Sequence, residues 1–398
     1  MREKKTKIKK PESLKVDIDS YQRRAKDKPY LANLEKIAPG QREDMLSVGV
    51  DSSEKNRSGT YLQMDHSVVH ARSLYPGLEV MSASEALKKY EWLDNLFWKL
   101  VSINADEFTR QAQNQPHYGY FLRALPGVKT VYPLQACLFI NENNIIQNVH
   151  NIIIAEEGSD LQIITGCASS SDVRRGLHIG ISEFYVKKGA KLTFTMIHNW
   201  TEEVVVRPRT AVLVEEDGSF LSNYICLKPV QNLQMYPQVE LIGKRALARF
   251  NSILFAYPGS HLDVGSRVIL KAEDSKAEVI ARAISLGGEI IARGHLKGEK
   301  KGIKAHLECR GLMLTDTGLI HAIPELEGRV QGVDMSHEAA VGKIAHDEIE
   351  YLMARGLSQN EAQAAIVRGF LDTSIMGLPD VLQKQVDEAI SACEKNAF

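Results

Sequence analysis

No CxxC pair occurs among the five cysteines of this 398-residue chain, Cys137, Cys167, Cys226, Cys309 and Cys393. Their number is odd and their spacing wide, which argues against a disulfide framework and a closed structural zinc site. A reducing cytoplasm is the simplest setting for them, and any metal site must gather ligands from distant segments or from more than one chain. No run of 18 apolar residues is present, so no membrane span is expected. Net charge is −1, so no global field favours nucleic acid or a membrane surface. The chain has no GxxxxGK[ST], hence no P-loop ATP site of its own, no GxGxxG opening a helix, and no GxSxG elbow. His337-Glu338 is not followed by the second histidine of HExxH, because Val341 stands there, and this excludes a zincin.

With 44% hydrophobic and 25% charged residues, the composition is that of an ordinary soluble protein with a sizeable core. The first ten residues carry six positive charges with no apolar stretch behind them, which reads as a solvated tail and not as a secretory signal. Residues 1–48 are polar and helical where ordered. Residues 49–118 are read as an N-terminal helical domain, with Ser82-Ala83-Ser84-Glu85 as a capping box. From about residue 119 the period changes to two. Short runs such as Leu161–Thr165, Leu192–His198, Arg249–Ala256 and Ile303–Leu314 alternate apolar with polar residues, and almost no helical pattern interrupts them for some 200 residues. A doubly wound α/β fold is thereby excluded.

The turns repeat weakly: Glu156-Glu-Gly158, Lys187-Lys-Gly189 and Glu215-Glu-Asp-Gly218 share charge, charge, glycine and then a small residue, with Ala272-Glu-Asp-Ser275 as a degenerate fourth. Recurrent turns between short strands suggest a solenoid of coils or a large sandwich. Residues 119–334 form this β core. Residues 335–398 read as a helical domain: a helix over Ala339–Leu357 ended by Gly356, a second capped by Ser358 with Glu361, and a third over 379–393.

Taken singly, the residues with chemical potential have plain alternatives. Cys309, on the strand face shared with Leu307 and opposite Arg310, fits a buried apolar role. Ser336-His337-Glu338, at a strand-to-helix junction, fits a helix N-cap. Cys167, in Thr165-Gly-Cys-Ala-Ser-Ser-Ser171, fits an exposed thiol activated by Arg174-Arg175, or an ordinary turn cysteine. Trp200 fits a packing anchor, and Arg207-Pro-Arg209 an exposed basic loop.

The segment Gly332-Val-Asp-Met-Ser-His-Glu-Ala-Ala-Val-Gly-Lys-Ile344, with Tyr351-Leu-Met-Ala-Arg-Gly-Leu357 and Glu361-Ala-Gln-Ala-Ala-Ile-Val-Arg-Gly-Phe370, resembles the C-terminal signature of the SufB/SufD family, core subunits of the SUF iron–sulfur cluster assembly machinery. Ile197-His-Asn-Trp200 and Thr165-Gly-Cys167 resemble further family segments, and Cys309 precedes His337 as the family's cluster cysteine precedes its histidine. The resemblance spans roughly residues 118–392. It implies a right-handed parallel β-helix core flanked by helical domains, in agreement with the layout above. It implies a SufC-type ATPase partner docking on the C-terminal helices, here at Ile344, Ile349, Leu352, Met353 and Phe370. It also implies a homodimer, or a heterodimer with a SufD-type chain, through the β-helix, together with a sulfur donor protein and apo iron–sulfur recipient proteins.

Residue by residue, the resemblance implies Cys167 as sulfur acceptor through a persulfide. It implies Cys309, His337 and Glu338 around a transient iron–sulfur cluster, with His198, Trp200 and Arg209 lining a sulfur route. With Cys309 and Glu338 both present the chain looks SufB-like, of a compact archaeal type for which pairing with itself and pairing with a SufD-type chain are both open. Ser336 stands where bacterial SufB has another acid, Phe139 lies near a SufB arginine position, and the N-terminal region is shorter. No flavin motif is present, which leaves flavin, known in some complexes of the family, open. One thiolate with imidazole and carboxylate suits a site that must release its cluster, since four thiolates would hold it durably. Two rival readings are a SufD-like structural paralogue without its own cluster and a β-helix polysaccharide-active enzyme. The second needs clustered acids on one face of the core, whereas Glu156, Glu157, Asp217 and Glu273 lie in turns.

Overall fold

A computed structural model describes residues 15–116 and 119–371. The expected third C-terminal helix, Cys393 and the basic first ten residues lie outside the described residues. Alternating apolar strands too short to bury themselves alone have one economical solution, which is to coil and stack. The chain does this as a β-solenoid of about eight turns. One ten-stranded sheet runs, in spatial order, β2 (Ser67–Ser73), β1 (Gly59–Met64), β5 (Leu134–Ile140), β7 (Asp160–Ser169), β9 (Lys191–Asn199), β11 (Ser219–Cys226), β14 (Leu247–Ala256), β16 (Lys276–Ser285), β18 (Lys304–Met313) and β20 (Asp334–Lys343). The facing sheet runs β19 (Leu319–Gly328), β17 (Glu289–Gly298), β15 (His261–Leu270), β12 (Asn232–Met235), β10 (Glu203–Val214), β8 (Arg175–Val186), β6 (Ile145–Ala155), β4 (Tyr120–Ala124) and β3 (Leu78–Ser82). The short β13 (Gln238–Leu241) bridges β10 and β15. From β4 onward every ladder is parallel, so each side chain stacks on its counterpart one turn away and the inward row forms one continuous core.

The turn repeat is more regular than its sequence. A residue with left-handed backbone stands two positions before each of seven strands: Gly158, Gly189, Asp217, Arg245, Asp274, Gly302 and Gly332, ahead of β7, β9, β11, β14, β16, β18 and β20. The third is Asp217 and not Gly218 as the pattern suggested, and the Arg245 turn was hidden because it has no acidic pair. Glycine adopts this conformation freely, whereas Asp and Arg do so at modest cost. The acids flanking these turns bind cations of neighbouring turns, as in Lys187–Glu215 at 2.9 Å and Arg245–Asp217 at 2.6 Å.

Two domain expectations change. The span 49–118 is not wholly helical: β1, β2 and β3 extend both sheets, and the capping box at Ser82 opens a two-turn helix α2 (Ala83–Lys89), followed by α3 (Glu107–Asn114). Residues 1–48 contribute a single α-helix among the described residues, α1 (Pro39–Leu46). At the other end, residues 334–343 are strand β20. Helices begin only at α4 (His346–Met353) and α5 (Gln359–Leu371), the latter with the expected Ser358–Glu361 box.

The N-terminal connection is held by one buried carboxylate. Glu183, on the outer face of β8, accepts hydrogen bonds from the amides of Trp98, Leu100 and Val101, and pairs with His150 Nε2 at 2.8 Å. Trp98 sits at φ 59, so these bonds hold a strained turn. Removing the acceptor strands several buried donors at about 1–3 kcal/mol each. Glu183→Ala is therefore expected to lower stability by roughly 3–5 kcal/mol in denaturant unfolding, and Glu183→Gln by less. An unchanged midpoint would show the latch to be dispensable.

Candidate functional site

The C-terminal turn of the solenoid carries three of the sequence-selected residues. Alternation along β18 turns Ala305, Leu307 and Cys309 into the core and Glu308 and Arg310 outward. Strand β20 is in register beside it, Leu307 opposite His337, Glu308 opposite Glu338 and Cys309 opposite Ala339. His337 thus shares the inner face with Cys309, diagonally across one ladder step, at the open end of the solenoid. Both His337 and Glu338 lie in a strand and not at a helix start, and Ser336 is no cap: its hydroxyl bonds His306 Nδ1 at 2.9 Å. The free edge of β18 supplies backbone partners that a helix at this point would forgo.

Glu338 faces outward. It accepts a hydrogen bond from Arg310 at 3.0 Å, and Arg310 and Arg282 both pair with Glu308. Neighbouring residues of a strand point to opposite faces, so Glu338 does not meet Cys309 within one chain. Cys309 itself is buried, which, together with the nearby Glu308, pushes its thiol up to about 11 against the partial relief of Arg282.

A second group lies deeper. Cys167 is not in an exposed loop. It is on β7, 2% exposed, and burial pushes its thiol up where sequence suggested a lowered value. Arg175 is turned away, onto the ring of Tyr21 and to Ser20. The small residues beside Cys167 have another cause: a Cβ at Gly166 would meet the side chain and carbonyl of Val48, so glycine allows the segment after α1 to close over β7. The ladder places Cys167 beside His198 of β9, and His198 beside Cys226 of β11. His198 Nδ1 and the Tyr224 hydroxyl share a hydrogen bond of 2.8 Å. Trp200 packs edge-on to His198 and tilted against His178, whose Nδ1 pairs with Gln147. Burial drives His178 down to about 3 and His198 well below its ordinary value, so both imidazoles are neutral. The Nε2 of His198 and the Nε1 of Trp200 are buried without a hydrogen-bond partner among the described residues.

Arg209 is not part of this interior. On β10 the inward residues are Val206 and Val212, and Arg209 points out, paired at 2.6 Å with Asp106 at the N-cap of α3. Between the sheets lies a cavity of about 40 Å³, room for two or three water-sized occupants. Phe194, Met196, Phe220 and Phe250 line it. Tyr224 and Ala281, the ladder neighbour of Cys309, are also among its lining residues. Sequence reasoning left Cys226 as a structural residue and did not select Tyr224. For Cys226 the signal was positional, since it stands one turn after His198 on the inward phase.

The helical module divides its apolar residues. Ile349 is buried, and Ile344 and Phe370 pack on the outer cluster with Leu312, Val367 and Leu371. Met353 stays 43% exposed with Tyr351 at 57%, and Leu352 is half-buried. Among the described residues no three of His, Cys, Asp and Glu converge as a metal site, and no helix is long and apolar enough to cross a membrane.

The family model described as "SUF system FeS cluster assembly, SufBD core domain" matches residues 138–370. A protein of Archaeoglobus fulgidus named as an iron–sulfur cluster assembly SufBD family protein is 52% identical over 89% of this chain and 95% of its own length. One of Methanothermobacter thermautotrophicus with the same name is 45% identical over 92% of this chain and 91% of its own. A Staphylococcus saprophyticus protein of that family is 30% identical over 76% of this chain and 66% of its own.

Proposed function

This chain belongs to the SufBD family of iron–sulfur cluster assembly proteins, and we propose that it acts as the scaffold on which a nascent cluster is built and from which it is handed on. The observation that carries this reading is the shared inner face of Cys309 and His337 at the open end of the solenoid, with an interior cavity whose lining includes Tyr224, the hydrogen-bond partner of His198, and Ala281, the ladder neighbour of Cys309. One soft thiolate with nitrogen and oxygen donors assembles iron and sulfide yet releases them.

Sulfur from a donor protein enters at Cys167 as a persulfide and passes the inward-facing His198 and Trp200 toward Cys309. A second copy of the chain, or a SufD-type partner, pairs at the exposed edge strands β19 and β20. Open strand edges invite such pairing, and it brings an outward Glu338 and an inward Cys309 within one composite site. A SufC-type ATPase docks on α4 and α5, with Met353, Leu352 and the neighbouring Tyr351 as its apolar contacts, while Ile344, Ile349 and Phe370 hold the module to the solenoid. ATP is hydrolysed on that partner and not on this chain. The completed cluster then passes to apo recipient proteins.

The test is anaerobic assembly with ferrous iron and a persulfide donor, followed by absorbance of the labile brown chromophore. Cys167→Ser is expected to lower the yield by roughly tenfold, with recovery when free sulfide replaces the persulfide. Equal yields from persulfide in both proteins would remove Cys167 from the route.

A further inference from the structure

Cys226 belongs to none of the roles above, yet the fold places it with care. It lies on the inward face of β11, buried, two ladder steps from Cys167, with His198 on the intervening strand in register with both. The Tyr224 hydroxyl, two residues before it, joins His198 Nδ1 at 2.8 Å, and Tyr224 is part of the lining of the interior cavity. His198 Nε2, buried, has no hydrogen-bond partner among the described residues. The Cys226 sulfur makes a long hydrogen bond of 3.9 Å to the Lys228 carbonyl and also interacts with the Tyr224 hydroxyl. An inert core cysteine needs none of this polar company, and each unpartnered buried atom costs free energy unless it is used.

We infer that Cys226 is a relay thiol, which takes the sulfane sulfur from a Cys167 persulfide and carries it to the cavity that leads to Cys309. The inference rests on Cys167 being the sulfur acceptor. In the step, the Cys226 sulfur attacks the terminal sulfur of Cys167–S–SH, forming a new S–S bond as the old one breaks, while the Cys226 proton passes to the departing Cys167 sulfur through His198, which is neutral before and after. Cys167–S–SH and Cys226–SH become Cys167–SH and Cys226–S–SH, with no oxidant or reductant consumed.

The geometry allows it. Two ladder steps separate the Cα atoms by about 9–10 Å. The persulfide bond adds about 2 Å of reach. Rotating both χ1 angles toward each other shortens the remaining gap to about 4 Å, near attack distance. Two ladder steps are also too far for a Cys167–Cys226 disulfide, which spares the relay its commonest dead end. Burial raises the Cys226 thiol and depresses the His198 imidazole, so the proton must move as the S–S bonds exchange, and His198 is the polar side chain in register to pass it.

The test uses the full chain under anaerobic conditions with glutathione persulfide, rapid alkylation and peptide mass spectrometry to find which cysteine is one sulfur heavier. In Cys309→Ser, extra sulfur is expected first on Cys167 and then on Cys226. In Cys226→Ser, Cys167 is expected to stay loaded while loading of Cys309 slows by roughly tenfold. A native-rate Cys309 signal in Cys226→Ser, with the signal lost in Cys167→Ser, overturns the relay and leaves the acceptor standing. A native-rate Cys309 signal in Cys167→Ser overturns the acceptor itself. The unsubstituted chain is a check free of folding effects: transient extra sulfur on Cys226 supports the relay, and its absence throughout a time course that loads Cys309 overturns it.

Discussion

Cys309→Ala is expected to abolish cluster formation while leaving the solenoid folded. The sulfur is the one soft ligand in the proposed set. Without it, iron is left to an imidazole from His337 and a carboxylate from Glu338, donors that hold iron–sulfur cores weakly and here do not converge within one chain. Reconstituted chromophore should fall by roughly tenfold or more, the scale set by losing an essential metal ligand. The structural cost is small. The ladder neighbours of Cys309 are Ala281 and Ala339, so trimming the residue to alanine matches the row it belongs to and costs about 1–2 kcal/mol of core packing. Cys137→Ala is the control: Cys137 is equally buried but faces the outer cluster beneath the segment around α1, on the far side of β5 from the core. It should lose similar stability and keep its cluster. A Cys309→Ala protein that reconstitutes as well as the parent would move the scaffold role to another subunit and favour the SufD-like reading.

How far the sequence foretold this arrangement depended on whether a strand has one wet face. β18 alternates strictly, so the opposite orientations of Cys309 and Arg310 were legible before any coordinates. β1 is buried along its whole length and shows no alternation, and it was absorbed into a helical domain. β20 failed for the opposite reason. It is exposed almost throughout, and Ala339-Ala340-Val341 looks helical until the free edge of β18 is known to need a partner. Gly166 looked like loop chemistry around Cys167 but records the close approach of Val48, a contact between residues more than a hundred apart in sequence. Arg209 is different in kind. Pro208 made Arg207-Pro-Arg209 look like a loop, whereas β10 runs through it and the inward phase of Val206 and Val212 puts Arg209 outside. The interior ladder of Cys167, His198 and Cys226 needed the turn length, and the left-handed residues that mark it are glycine at only some turns.

Alkylation of Cys309 should be slow, steeply dependent on pH, and released by the ATPase partner. Only the thiolate reacts. With the thiol raised from 9.0 to about 11, the thiolate fraction at pH 8 is about 100-fold below that of an ordinary cysteine. The labelling rate of the isolated chain should climb about tenfold per pH unit through pH 10 and level near 11. The sign of the coupled stability runs the same way. The folded chain holds the proton more tightly than the unfolded chain, so stability present below pH 9 is lost as pH rises toward 11, and Cys226, held at about 12, adds to the loss. Unfolding must therefore be followed in parallel, and labelling that precedes it reports local opening. That opening has an evident structural route. Cys309 is one strand in from the edge, and separating β20 from β18 uncovers it while freeing His337. Helix α4 follows β20 directly, so a force applied to α4 and α5 by the proposed ATPase partner would act on that same ladder. In the assembled complex a non-hydrolysable ATP analogue should raise Cys309 labelling at pH 8 by roughly tenfold or more, as lifting part of the burial penalty predicts. Cys137, outside the opening, should stay protected. Levelling of the isolated chain's profile near pH 9 would mean that Cys309 is already open to solvent, and labelling indifferent to the nucleotide would sink the gating step.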